Sequence, residues 1–306
     1  MVKSVFIKLV CMEIVTALHP GSCGNGGKNS VLSSVRFADV FGTWMEVIVK
    51  RAWNNFVKYR FLLAELVKKD IKLKYRRSYL GILWTLIEPM LTTAVLWLIF
   101  GKLMSRGGQS FPVYILTGRL LYTFFANSTK ASMKSIRKNG GMIKKVYVPK
   151  YMYPLSSVLS NYIMFLISLI VLFFASIIFR VMPTGYIFQA IIPLIIILVL
   201  TLGVGMILAT LAVFFRDLEY LWSVILMLIM YTSAIFYYTD HLKLKGSLWI
   251  FNLNPLYTVI VNFRDAVFGT PLHMTSFVMS ILYSFGSLII GVVLFYKKQD
   301  EFILNI

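Results

Sequence analysis

The sequence predicts an all-α integral membrane protein with six transmembrane helices and both termini in the cytoplasm. Three observations carry that prediction. Of 306 residues, 58% are hydrophobic and only 14% are charged, with a mean hydropathy of +0.78, more apolar material than one soluble core can hide. The apolar residues gather into windows of the ~20 residues that a spanning helix needs. The basic residues gather in the segments on one side of those windows.

Residues 1–55 form a poorly defined N-terminal extension. The stretch HPGSCGNGGKNS is turn-forming and aperiodic. Lys8 and Glu13 leave only four uncharged residues between them, too few for the apolar core of a signal peptide, so no cleavage is expected. Gly26-Gly27-Lys28-Asn29-Ser30 glances at a phosphate-binding loop. However, Ser22 stands where the first glycine belongs and Asn29 where a hydroxyl must reach the metal. Cys11, Cys23 and His19 have no zinc-site spacing.

Residues 56–80 form an amphipathic interface helix. Six of the ten residues from Lys68 to Arg77 are basic. Leu63, Val67, Ile71, Tyr75 and Tyr79 recur four apart, so they share one helix face, with Lys68, Lys69, Lys72 and Arg76 off it. Such a helix is expected to lie along the membrane surface, apolar face in lipid and basic face toward anionic headgroups.

Residues 81–306 form the six-span domain. Clear windows lie within Ile82 to Leu103, Pro154 to Phe179, Ile187 to Phe215, Tyr220 to Tyr238 and Phe277 to Tyr296. A weaker window, Pro112 to Ser128, carries Arg119. With that window counted as a span, the cytoplasmic side receives fourteen Lys and Arg from residues 1–80, seven from 130–150, Arg216, and Lys297 with Lys298. Omitting it would put the basic 130–150 loop outside, against the positive-inside rule. The net charge of +19 would suggest nucleic acid in a soluble protein; here its placement marks topology, and no nucleic-acid partner is expected.

The 130–150 loop, KASMKSIRKNGGMIKKVYVPK, breaks at Gly140-Gly141 and stops at Pro149. It reads as two short cytoplasmic helices forming a docking element, against the plainer reading of an ordinary basic loop. Between the fifth and sixth spans, GSLWIFNLNPLYTVIVNFRDAVFG holds two apolar segments too short to cross, separated by Asn254-Pro255. Re-entrant half-helices dipping in from outside are expected there.

Catalytic chemistry is poorly supported. Of the 12 carboxylates, only Glu88 sits well inside a span, and a proton relay normally uses more. Arg119 is expected to snorkel outward rather than pair with Glu88. His241 and His273 have no companion ligands, so neither a metal site nor a catalytic dyad is expected. The aromatics admit two readings, interfacial anchoring or a conduit wall over which sugar rings slide. The candidate path residues are Trp84, Glu88, Arg119, Tyr122, Phe124, Phe125, Phe236, Tyr237 and Tyr238.

Five segments carry a resemblance: YRRSYLGILWTLIEPML at 75–91, FPVYILTGRLLYTFF at 111–125, MIKKVYVPKYMYPLSSVLS at 142–160, VFFRDLEYL at 213–221 and NPLYTVIVNFRDAVFG at 254–269. In this order they closely resemble the membrane permease of bacterial ABC exporters for polysaccharides of the O-antigen, teichoic acid, capsule or rhamnose-glucose polymer type. The resemblance covers residues 60–306. It implies a transport subunit rather than an enzyme, with two permease copies, two separate ATPase subunits that hold ATP and Mg, no cofactor on this chain, and a lipid-linked glycan as cargo. Lys74, Tyr75, Arg76, Arg77 and Ser78 match the family's interface helix. Ile143, Lys144, Lys145, Val146, Tyr147 and Pro149 match its ATPase-coupling segment, and Arg216 with Asp217 its Arg-Asp pair after the fourth span. Where the family often has Pro-Trp in the second span, this chain has Leu121-Tyr122.

The expected role is therefore a permease for ATP-driven export of a lipid-linked polysaccharide or oligosaccharide across the bacterial cytoplasmic membrane. Rivals are an ABC permease for drug or lipid export and an ion-coupled flippase for lipid-linked sugars.

Overall fold

A computed structural model describes residues 58–76, 78–103, 108–145, 148–181, 184–238 and 249–302. Residues Tyr59–Ile306 form one compact unit. Expectations for the N-terminal extension, and for Arg77, Val146, Tyr147 and His241, lie outside the described residues.

Among the described residues every regular element is helical. Helix α1 runs over 58–75, and α2 over Trp84–Leu96, entered by a short 3₁₀ turn and left by a π-helical one. Next come α3 (Phe111–Lys138), α4 (Gly140–Ile143), α5 (Met152–Ile178) and α6 (Ile191–Phe214). The chain continues through α7 (Leu218–Thr232), α8 (Trp249–Asn252), α9 (Pro255–Phe268) and α10 (Met274–Lys298).

Among the described residues, four helical stretches are long and apolar enough to cross a membrane: Gly81–Gly101, Met152–Ile178, Gly185–Phe214 and Met274–Glu301. Their outward faces carry exposed Leu91, Val95, Ile170, Phe173, Ile195 and Leu282, as lipid contact requires. Helix α3, the weak window, contributes more buried residues than any other described helix and is the hub of the main apolar cluster, where Leu116, Leu120, Phe124 and Phe125 meet residues of α5, α6, α7 and α9. At 28 residues it is about 42 Å long, well beyond the ~30 Å hydrocarbon core. Its hydropathy is low because Thr117, Ser128, Thr129, Ser132 and Ser135 are buried against neighbouring helices rather than lipid. Small side chains there let helices approach: a Cβ on Gly205 of α6 would lie 2.8 Å from Ser132 Oγ. The α6–α10 contact is tighter still, since a Cβ on Gly203 would sit 2.4 Å from the backbone nitrogen of Leu288.

Two expectations need correction. The first half of the α1 face assigned to lipid is packed in protein: Leu63, Leu66 and Val67 are buried, and Leu63 and Leu66 join Ile136, Ile143, Met152, Tyr153, Ala209, Val213, Phe295 and Phe302, while Ile71 and Tyr75 are half-buried. Leu66 supplies the i+3 partner that turns the stripe toward α3 and α5, while Tyr79 falls beyond the helix and is fully exposed. The first of the two helices expected in the 130–150 loop is not separate, because α3 runs unbroken to Lys138. Only the four-residue α4 follows, after the turn at Asn139.

Candidate functional site

A cleft opens where α1, α2, α3 and α5 converge, with a cavity volume of about 60 Å³. Lys74 and Tyr75 stand at one end, Glu88 and Thr92 on α2, Arg119, Thr123 and Asn127 on α3, and Asn161 and Ser168 on α5. Pro89 shapes its wall. Lacking an N–H, Pro89 cannot bond the carbonyl of Thr85 four residues earlier, and Ser168 Oγ donates to that carbonyl at 3.1 Å instead. Thr92 Oγ1 similarly donates to the Glu88 carbonyl at 2.9 Å.

Glu88 and Arg119 thus line one cleft. They form no ion pair within 4 Å, and the hydrogen bond recorded for the Arg119 guanidinium goes to Met230 Sδ at 3.8 Å, with its carbon 5.9 Å from the Tyr122 ring. Lys74 Nζ lies 5.8 Å from the Tyr75 ring. Although much of Lys74 remains open, burial around its ammonium holds its pKa below the usual lysine value, with Glu88 opposing that shift. Burial, then Glu88, pushes the Tyr75 phenol up, and a hydrogen bond from Thr85 opposes them.

Of the other path candidates, Trp84 is exposed and Phe124 reaches the cleft wall, stacked on Phe165 at 5.0 Å. Phe125 and Phe236 are buried core residues. Tyr122 Oη donates to the Leu226 carbonyl and Tyr237 Oη to that of Tyr231, while Tyr238 packs on Tyr114 at 4.4 Å. The rings form packed clusters rather than one continuous wall.

At the other end of α3 the coupling candidates meet α1. Lys69 Nζ donates to Asn139 Oδ1 at 3.2 Å, and Lys138 pairs with Asp70 at 3.8 Å. Ile143 is buried beneath that corner, with Lys144 and Lys145 exposed and Pro149 partly buried beyond them. Of the interface motif, Arg76 is exposed, and Ser78 Oγ accepts the Gly81 N–H at 3.2 Å. Arg216 and Asp217 are exposed at the α6–α7 corner and form no ion pair with each other. Asp217 occupies the N-cap position of α7, with its backbone carbonyl accepting from Tyr220 N at 3.1 Å, and its charge complements the helix dipole. Lys134 pairs with Glu219, two residues on.

Two features were missed. Arg264 is 6% exposed on α9. It lies 3.5 Å over the Tyr114 ring and donates to the carbonyls of Tyr114 and Ala234, each at 3.2 Å. Ala234, at a φ of 47°, turns its carbonyl to both Arg264 and Tyr114 Oη. His273 does have a companion: its Nδ1 lies 2.8 Å from Asp265 Oδ2, which also accepts the His273 N–H. This pair closes the turn between α9 and α10. No cluster of metal-ligating side chains occurs among the described residues.

Residues 62–268 match the model of the ABC-2 type transporter family. The chain belongs to that family. The match runs from α1 through α9, so it includes both the cleft and the α1–α4 corner. The chain is 33% identical to the O-antigen export system permease protein RfbA of Klebsiella pneumoniae over 246 residues, covering 79% of this chain and 93% of that protein. It is 29% identical to RfbA of Myxococcus xanthus, over 70% of this chain and 83% of that one. It is 23% identical to the polysialic acid transport protein KpsM of Escherichia coli, over 83% of this chain and 99% of its relative. Membership of the ABC-2 family together with several apolar spans makes the chain a multi-pass membrane transport protein.

Proposed function

We propose that this chain is the permease subunit of an ATP-driven exporter of a lipid-linked polysaccharide or oligosaccharide in the bacterial cytoplasmic membrane. Similarity to an O-antigen export permease over 93% of that protein's length carries the reading. Two copies pair and sit on two separate ABC ATPase subunits, which supply ATP, Mg and hydrolysis. Each copy crosses the membrane six times, with α3 and the α7 segment added to the four strongly apolar spans, α8 and α9 as re-entrant half-helices, and both termini inside.

The α1–α4 corner supports the coupling role. Lys69, Asp70, Lys138 and Asn139 tie the interface helix to the end of α3, so a push at Ile143 to Pro149 is delivered to both. ATP binding changes transport only if the permease has two conformations that differ in affinity for the ATP-bound partner.

Replacing Lys144, Lys145 and Val146 with glycine and serine should abolish glycan export while leaving membrane insertion intact. Cell-surface glycan and membrane-fraction abundance are the two measurements. Normal export by that variant would sink the coupling assignment. Accumulation of lipid-linked glycan inside cells lacking the chain separates glycan export from drug or lipid export. Activity that survives Glu88→Gln but fails with an ATPase-dead partner excludes an ion-driven flippase.

A further inference from the structure

The cleft holds an anomaly that export as such does not explain. Arg119 lies eight residues into α3, about 12 Å along it, inside a spanning segment. A guanidinium at such depth is costly unless oxygen acceptors satisfy it, yet its recorded hydrogen bond is to a thioether sulfur at 3.8 Å, a weak acceptor. Glu88 lines the same cleft without reaching it.

Lys74 supplies a second cation to the cleft, and Asn127 and Thr123 supply groups that can donate to an anion. Two cations against one carboxylate leave the lining net positive. The walls on either side are apolar and open: Trp84 and Leu91 on α2, Ile163 and Leu166 on α5. A polar, cationic slot flanked by lipid-facing side chains fits an amphiphile whose head enters the slot and whose chains stay outside. Among anionic heads, phosphate suits a guanidinium best, because its oxygens match the planar N–H fork. Basic pockets between membrane helices bind phosphate headgroups by this chemistry.

We infer that the cleft between α1, α2, α3 and α5 is a binding site for the phosphate headgroup of a membrane lipid, held between Arg119 and Lys74. The same chemistry is offered by an anionic phospholipid of the bilayer and by a polyisoprenyl phosphate carrier. With a bilayer phospholipid as ligand the site is independent of glycan export; with the carrier phosphate it rests on the function proposed above. A bound phosphate also reverses the electrostatic situation of Lys74, whose charge is otherwise disfavoured by burial.

The test uses the purified full chain in uncharged detergent, titrated calorimetrically with dioctanoyl phosphatidylglycerol, farnesyl phosphate, dioctanoylglycerol and inorganic phosphate. At least one phosphate amphiphile should bind, and whichever binds more tightly identifies the source of the headgroup. Arg119→Gln and Lys74→Gln should each weaken that binding about tenfold or more, whereas Glu88→Gln should tighten it several-fold by removing the one negative charge in the cleft. Because Glu88→Gln is a gain, misfolding cannot imitate it. Unchanged affinity in the Arg119 and Lys74 variants, or equal binding of dioctanoylglycerol, would overturn the site. Inorganic phosphate binding as tightly as either amphiphile would overturn its assignment to a lipid.

Discussion

Gly118 and Arg264 are predicted to be coupled, because the guanidinium occupies the space that any larger residue at position 118 would need. A Cβ added at Gly118 would lie 2.7 Å from Arg264 Nη2 and 3.3 Å from Ile235 Cγ1. The nearer atom belongs to a side chain fixed by two carbonyls at 3.2 Å and by a ring at 3.5 Å, so it moves only by giving up those contacts. Each charge-assisted hydrogen bond contributes about 1.5–3 kcal/mol and a desolvated cation–π contact about 2 kcal/mol; the cost of burying the guanidinium offsets part of the total. Gly118→Ala, which forfeits roughly half of this set, should cost about 2–3 kcal/mol, and Arg264→Met, which removes both charge-assisted bonds and leaves the two carbonyls only the Thr117 and Tyr114 hydroxyls, about 2–5 kcal/mol. Thermal unfolding of the detergent-solubilised chain, followed by loss of the monodisperse peak in size exclusion, reads both as lower midpoints, by roughly 5–15 °C. The deciding measurement is the double variant. With Met at 264 the clash disappears, so Gly118→Ala should cost little more in that background. Equal costs in both backgrounds would show that the two positions act independently and that Arg264 does not hold the N-terminal part of α3.

Two further substitutions probe how the spans meet. Ser168→Ala removes the donor to the Thr85 carbonyl left free by Pro89 and should cost about 1–3 kcal/mol; in a Pro89→Ala background, where a backbone N–H returns, the loss should vanish, and its persistence in the same unfolding assay would refute the compensation. Gly203→Val drives a branched side chain against the backbone at Leu288 and should prevent stable accumulation in membranes, while Gly286→Ala, with nothing within 4 Å of its Cβ, should be neutral; similar membrane abundance for both would show that α6 and α10 do not pack as described.

What the sequence made legible follows from which surface each helix buries. The spans containing α2, α5, α6 and α10 stand out because they present apolar faces to lipid, where hydropathy is the governing quantity. Helix α3 gave only a weak signal because its surroundings are other helices. There Thr129 Oγ1 donates to Phe125 O and accepts from Trp222 Nε1, so a polar side chain that lowers the hydropathy of α3 is satisfied between helices. The stripe on α1 was legible as a stripe, but periodicity identifies a buried face and not the material that buries it. Lipid and the Ile136–Ile143–Met152 surface of this chain are equally apolar partners.

The site residues that escaped detection have a common cause. Sequence reasoning finds charges by looking for opposite charges, and Arg264 has backbone carbonyls instead, from residues 150 and 30 positions away. Any residue type supplies a carbonyl, so no pattern of side chains announces the partner; what does so is a conformation, here the left-handed turn at Ala234. Ser168 escaped for the same reason, since its task is created by a missing N–H on another helix. Glu88 and Arg119 were recognised because a charge inside an apolar window is visible in one dimension, whereas their convergence with Lys74 is a property of helix packing. A carbonyl-held arginine in an apolar segment is therefore distinguishable from an unsatisfied one only by geometry: Arg264 has oxygen acceptors at 3.2 Å, whereas Arg119 has a sulfur at 3.8 Å and an open cleft. By that difference Arg264 is structural, and Arg119 is the residue with capacity left for a ligand.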